Sequence, residues 1–306
     1  MLERLVTHTL KRPQIRHRTR KPSSVGPVLL IGLIFVLIYL VSVPLLNMPQ
    51  AQKLLSSGAD LGCKSSLECA FMLRNPTVPA PLQLLGGFRA LSWPLFSPTG
   101  VPLNLLITAG ETLAGIMLAS LLGILLAVGM VASRALERSI LPLLVASQTV
   151  PIVALTPMLA VTLGQFRDLP SWVPKAIIAA YIAFFPICVG LLKGLRSPDP
   201  LSLDLMRTYH SSSASIFFKL RFPASLPYLF TAYKVAVAAA LIGAIVAEGA
   251  TVSFQGIGKM LSENSRAADS VALWVIMLYS GLLGIGLVAL VGVLERVITP
   301  WKREVS

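Results

Sequence analysis

Residues 199–227 read DPLSLDLMRTYHSSSASIFFKLRFPASLP. The stretch is polar and basic, and it separates two apolar segments, Val173–Leu195 and Ser225–Ala247, each long enough to cross a bilayer. A chain that only turns around between two spans needs a few loop residues. The extra length, with helix signals at both ends, implies a surface presented to the aqueous phase. Asp199 before Pro200 reads as an N-cap followed by a first-turn proline. Leu201, Leu205, Met206 and Tyr209 recur at helical spacing as one apolar stripe. His210 stands where that helix should stop, because histidine tolerates the left-handed conformation that ends many helices. Ser211, Ser212 and Ser213 offer a second N-cap for a short helix through Ile216, Phe217 and Leu220. Pro223 and Pro227 then break the chain and restart it as the next span. The expectation is a helix–turn–helix lying against the membrane with its turn toward the cytoplasm. An amphipathic hairpin that packs only on its own bundle would carry the same pattern.

Composition around this insert excludes a soluble domain. Hydrophobic residues make up 55% of the 306 and charged ones 13%, with a mean hydropathy of +0.77. That is the profile of an all-α polytopic membrane protein. Six segments qualify as transmembrane helices: Gly26–Leu46, Leu105–Ala132, Ile140–Leu163, Val173–Leu195, Ser225–Ala247 and Val271–Leu294. The first is too long for a signal-peptide core, and no small-x-small cleavage site follows it. A net charge of +13 would suit a nucleic-acid binder, but Lys and Arg sit in short clusters between apolar runs. No RNA- or DNA-binding motif accompanies them. Loop charge under the positive-inside rule accounts for the excess. Seventeen Lys and Arg fall on the side of the insert and the two termini, against seven on the other side. Both termini and the insert are therefore expected in the cytoplasm, with the chain multi-pass in a bacterial inner membrane.

The expected organisation is a basic tail over 1–24, a first span over 25–47 and an outer, periplasmic segment over 48–102. A compact core follows over 103–301, with its cytoplasmic loop at 196–224, and 302–306 form a second tail. Pro76, Pro79, Pro81, Pro94, Pro98 and Pro102 argue against a further span in the outer segment. That segment is expected along the outer interface, with Trp93 and Phe96 at headgroup level. Cys63 and Cys69 lie within it; their spacing permits a disulfide in an oxidising compartment and equally suits two thiols. No Cys/His cluster has metal-ligand spacing, and no cofactor motif is present. Pro151 and Pro157 should kink the third span.

The stretch DLMRTYHSSSASIFFKLRFP, residues 204–223, resembles the characteristic cytoplasmic loop of ABC-importer permeases: EAA, three residues, Gly, nine residues, Ile, one residue, LP. Asp204 to Met206 stand in the EAA place, His210 in the Gly place, Leu220 in the Ile place and Phe222-Pro223 in the LP place. Only the proline is kept, so the loop departs from the pattern at the triplet and the glycine. The stretches SLPYLFTAYKVAVAAALIGAIVAE and FQGIGKML resemble the branch that takes up nitrate, sulfonate, taurine, pyrimidine precursors and riboflavin. ETLAGIMLASLLGILLAVGM and LPLLVASQTVPIVALTPMLAVTLG fit the same branch, so the resemblance covers residues 103–301. It implies a type I ABC importer transmembrane domain. It also implies cytoplasmic ATPase subunits, a second permease subunit (a copy or a paralogue) and a periplasmic or extracellular solute-binding protein. The loop residues Asp204, Met206, Arg207, Thr208, Tyr209, His210, Ser211, Ser212, Ser213, Phe217, Leu220, Phe222 and Pro223 would dock the ATPase. No G-x-x-x-x-G-K-[ST] stretch occurs, so this chain has no P-loop of its own and is expected to be a transport subunit rather than an enzyme.

Charges inside spans cost about 2.5–3.5 kcal/mol each on insertion scales, which makes each one a question of function. Glu111 and Glu248 stand near the outer ends of spans two and five, and Lys175 near the outer start of span four. Snorkelling or pairing would accommodate them there. Lys234, about halfway along span five, is expected to face the bundle interior or the pathway, against a carboxylate, as a wall of the path or as a packing pair. Glu111 and Glu248 are further path candidates. Two other readings remain: an ion-driven secondary transporter, which should show inverted repeats and midplane ion pairs, and a scaffold that recruits a cytoplasmic partner without transport.

Overall fold

A computed structural model describes residues 25–58, 62–63, 65–166, 169–250 and 255–301. The two tails therefore lie outside the described residues, as does Arg167. Among the described residues there is no strand. Helices α1 (Val25–Ser56), α4 (Val101–Ala132), α7 (Val173–Leu195), α10 (Phe222–Ala250) and α12 (Ser270–Ile298) are the expected spans one, two, four, five and six, several of them extended beyond their apolar runs. Between them lie α2 (Ser66–Met72), α3 (Pro81–Ser92), α5 (Arg134–Ser147), α6 (Ile152–Gly164), α8 (Pro200–Thr208), α9 (Ser213–Ile216) and α11 (Ile257–Arg266).

The third span is a correction. Instead of one kinked helix, Ile140–Leu163 is divided between α5 and α6, which meet at 89°. Pro151 is the cause. It has no N–H for the ladder and pushes Val150 out of the helical region, so it caps α6 from outside rather than bending a continuous helix. Pro157 stays inside α6.

Helix α7 is the hub. It is buried along most of its length between α4 and α10, and glycine permits the close approach. A Cβ on Gly115 would lie 2.6 Å from Ala179 Cβ, and one on Gly190 would lie 2.3 Å from Ala232 Cβ. Helix association without a hydrophobic driving force relies on such small residues, because they let backbones touch. Phe184, Phe185 and Ile116 fill the flanks, and the free thiol of Cys188 is buried among them.

The segment after α1 is a small folded cap. Cys63 and Cys69 form a disulfide, which ties the chain after α1 to α2. Helix α1 carries the cap on its far end. The Asn47 side chain donates to Ala70 O and Val78 O and accepts from Val78 N, and Tyr39 Oη donates to Pro79 O at 2.6 Å. The cap leans on α12, where Trp274 Nε1 donates to Thr77 O. The lipid-length half of α1 has almost no protein around it, with large side chains from Leu29 to Leu46 mostly exposed.

Candidate functional site

The insert folds as a helical hairpin. Helix α8 starts at Pro200, and Asp199 occupies the cap position, although its carboxylate makes no capping bond. His210 adopts φ 51° and ends the helix in the left-handed conformation, as the sequence indicates. The Ser211 N–H reaches Met206 O, and the His210 N–H reaches Arg207 O, which satisfies two carbonyls at the helix end. Ser212 is the second cap, its hydroxyl accepting from Ser215 N at 3.2 Å.

Beyond α9 the chain differs from expectation. Pro223 does not break it. The ladder widens into a π turn over Phe217–Arg221, where Phe222 N bonds Phe217 O, and continues directly into α10. A proline ring would strike the carbonyl four residues back, and a wider turn relieves that clash without ending the helix. Pro227 is likewise absorbed within α10.

The hairpin sorts its side chains into two faces. Leu203 and Met206 turn inward, while Leu201 and Tyr209 are each 76% exposed and Leu205 stands out beside them. Three members of the expected stripe thus face away from the bundle; Met206 does not. Asp204 and Arg207 form an exposed pair at 3.2 Å, and Thr208 Oγ1 bonds Asp204 O. Phe217 packs on the core of α4 and α7 and stacks edge-on with Phe218. It supports the hairpin from beneath, and its neighbour Phe218 is the outward ring. Leu220 and Pro223 are half-buried, and Phe222 is exposed. Between the hairpin and the end of α4 lies a cavity of about 430 Å³ lined by Val128, Val131, Leu203, Arg207, Phe217 and Arg221. Nearby, Arg196 at the end of α7 forks onto Glu137 of α5, a tie the sequence reading does not contain.

At the opposite end of the bundle, Glu111 and Glu248 are buried and both take partners from within the chain, although Glu111 Oε2 accepts no hydrogen bond among the described residues. Lys175 Nζ meets Glu111 Oε1 at 2.5 Å. Glu248 accepts from Thr108 Oγ1 and from Gly258 N, both at 2.6 Å. The Gly256 N–H donates to Asn104 Oδ1, and the Ile257 N–H donates to Thr108 Oγ1. Together these bonds clamp the start of α11 onto α4 and α10. Glycine is required on both sides of Ile257. Gly256 has φ 116° with the Glu248 carboxyl 2.3 Å from where a Cβ would sit, and a Cβ on Gly258 would fall 1.9 Å from Ile245 O. Asn104, Thr108, Glu111 and Thr112 share one face of α4, a polar stripe at helical period in an otherwise apolar segment. That stripe is a legible signal, but the sequence reading singles out only Glu111.

Lys234 does have a carboxylate opposite it. Its ammonium lies 2.5 Å from Glu295 Oε2, in the last turn of α12. Counted on α10 alone it is deep; measured against α12 it lies near the end of the bundle that carries the insert. Its side chain is 37% exposed. Among the described residues no group of His, Cys, Asp or Glu is placed to hold a metal ion.

Residues 119–304 match the family described as binding-protein-dependent transport system inner membrane component. Similar proteins include the formylaminopyrimidine transport permease protein ThiX of Halalkalibacterium halodurans, 32% identical over 77% of this chain and 90% of its own length. The riboflavin transport system permease protein RibX of Chloroflexus aurantiacus is 29% identical, over 55% of this chain and 61% of its own length. The nitrate import permease protein NrtB of Leptolyngbya laminosa is 29% identical, over 60% and 62%. With its helical bundle and membrane-length apolar spans, the chain belongs to this family and is an inner-membrane permease component of an ABC transport system.

Proposed function

We propose that this permease is driven by a separate ATPase that docks on the α8–α9 hairpin, and that the pathway it helps to form serves a small solute handed over by an outer binding protein. The observation that carries the reading is the outward stripe of Leu201, Leu205 and Tyr209 on a helix whose opposite face, Leu203 and Met206, is half-buried. A soluble partner covering it would bury apolar area worth about 25 cal/mol per Å². Both termini and the hairpin then face the cytoplasm, in keeping with the excess of Lys and Arg on that side.

The relatives transport formylaminopyrimidine, riboflavin and nitrate by their names. An organic precursor of the pyrimidine or riboflavin kind is the favoured substrate class here, with an oxyanion such as nitrate or sulfonate second. A second permease subunit, identical or paralogous, completes the pathway. Lys234 is the charged candidate for its wall, since part of its side chain remains open. The pairing of Glu111 with Lys175 and the bonds of Glu248 to Thr108 and Gly258 favour a structural role for both carboxylates.

Replacing Leu205 or Tyr209 with Asp tests the docking role. The expected result is a folded permease that no longer copurifies with the ATPase. Undiminished copurification from detergent overturns it.

A further inference from the structure

The cap outside the matched core carries an exposed face that neither the hairpin nor the buried pairs explain. Helix α3 presents Leu82 and Leu85 to the outside, followed by Trp93 and Phe96 in the turn before α4, at 74% and 75% exposure. Arg89 lies on the same outward face. We infer that this face rests in the outer leaflet of the bilayer, at the boundary between headgroups and acyl chains.

Two neighbouring helices fix its level independently. On one side, α3 packs across the first turns of α12. A Cβ on Gly87 would touch Val271 and Val275 at 3.0 Å, the Phe88 ring lies 5.1 Å from Tyr279, and Ser92 Oγ meets Tyr279 Oη at 2.6 Å. Val271 opens the apolar run of α12, so at 1.5 Å per residue the contacts lie within about 12 Å of where that run begins. On the other side, Val78 and Ala80, immediately before α3, pack on Tyr39 and Val43 of α1. The apolar run of α1 continues past that level to Leu45 and Leu46, which are themselves exposed. Both spans thus place α3 beside the outer edge of their apolar bands rather than above it. The hydrocarbon core is about 30 Å thick and the headgroup zones add about 5–7 Å on each side, so a helix at this level touches lipid.

The chemistry fits that partner. Leucines next to a tryptophan, with one arginine on the same face, form the pattern of an amphipathic segment lying in the interface: apolar groups reach the acyl chains and the guanidinium meets phosphates. Immersion also accounts for a wholly apolar turn, Trp93 to Phe96, whose side chains are exposed between α3 and α4. The inference is independent of ATPase docking at the other end of the molecule.

The test keeps Trp93 as the sole tryptophan by replacing Trp172, Trp274 and Trp301 with Phe, and reconstitutes the full chain in nanodiscs. Lipids brominated near the headgroup end of the acyl chain should quench its fluorescence strongly, and aqueous acrylamide should quench it weakly. Because that variant removes the Trp274 bond to Thr77, a second measurement uses Leu85→Cys in the otherwise unaltered chain, spin-labelled in the same discs. Oxygen should relax the label more effectively than a water-soluble nickel complex. Ready access of acrylamide and nickel overturns the inference. So does a signal that becomes shielded only when a soluble outer protein is added, which would assign the face to a protein partner.

Discussion

The two ends of the bundle use polar chemistry in opposite ways. At the end holding Glu248, every group of the clamp named above bonds another part of the same chain, and two glycines leave no room for movement. At the hairpin end, the polar bonds are those of the turn, its caps and partly open ion pairs such as Asp204–Arg207 and Arg196–Glu137. Leu201, Leu205, Tyr209 and Phe218 point away from the protein. A buried polar network fully satisfied from within rigidifies its surroundings. An uncovered apolar stripe is a surface waiting for a partner. The contrast assigns rigidity to one end and exchangeable contacts to the other.

The largest expected effect breaks the rigid end. Gly258→Ala places a methyl against the Ile245 carbonyl, and relieving that contact should cost about 3 kcal/mol or more. It should appear as a marked fall in Tm in detergent. Gly281→Ala, where a Cβ meets nothing within 4 Å, should leave Tm unchanged, and equal behaviour of the two would end the comparison.

Next in size is Glu248. Glu248→Leu strands the Gly258 N–H, at a cost of about 1–3 kcal/mol when buried without a partner, while the Thr108 hydroxyl keeps Asn104 O as its acceptor. Glu248→Gln keeps an accepting oxygen and should lose less, close to the roughly 0.6 kcal/mol average for single bonds between membrane helices. Thermal unfolding of the pair orders them, and equal losses would show that the charge, not the acceptor, holds the loop.

The hairpin substitutions sharpen the other side. Leu205→Asp should change stability by less than about 0.5 kcal/mol, because an exposed side chain loses no packing. Its effect should instead be seen as loss of the ATPase on copurification. Phe217→Asp, by contrast, should lower Tm as well, since that ring lies on the core. A comparably small structural effect is expected from Lys234→Met, about 0.6 kcal/mol for one interhelical pair, with solute uptake altered while the complex still assembles. Wild-type uptake in that variant removes Lys234 from the pathway.

Much of this contrast was legible in the chain itself. Asp199-Pro200, His210 and the serine run mark the hairpin because capping and left-handed turns depend on neighbours in sequence. The five unbroken spans follow from length and hydropathy in the same local way. What escaped depends on partners distant in sequence. A proline inside a span signals a kink or a break alike, and nothing near Pro151 in the chain says that the angle reaches 89°. The π turn before Pro223 escaped for a similar reason: the proline signals disruption, but not whether the ladder ends or widens. The partners of Glu248 and Lys234 are residues 108, 258 and 295, and no local pattern couples them.

The absorbed proline has a mechanical consequence. From Ser213 to Ala250 the backbone runs as one helix of 38 residues, about 57 Å long at the usual rise, with a single compliant turn near its base. A displacement imposed on the serine cap need not cross a hinge to reach the carboxylate at the far end. It travels along a continuous rod, so the exposed elbow and the locked rim are the two ends of one solid part.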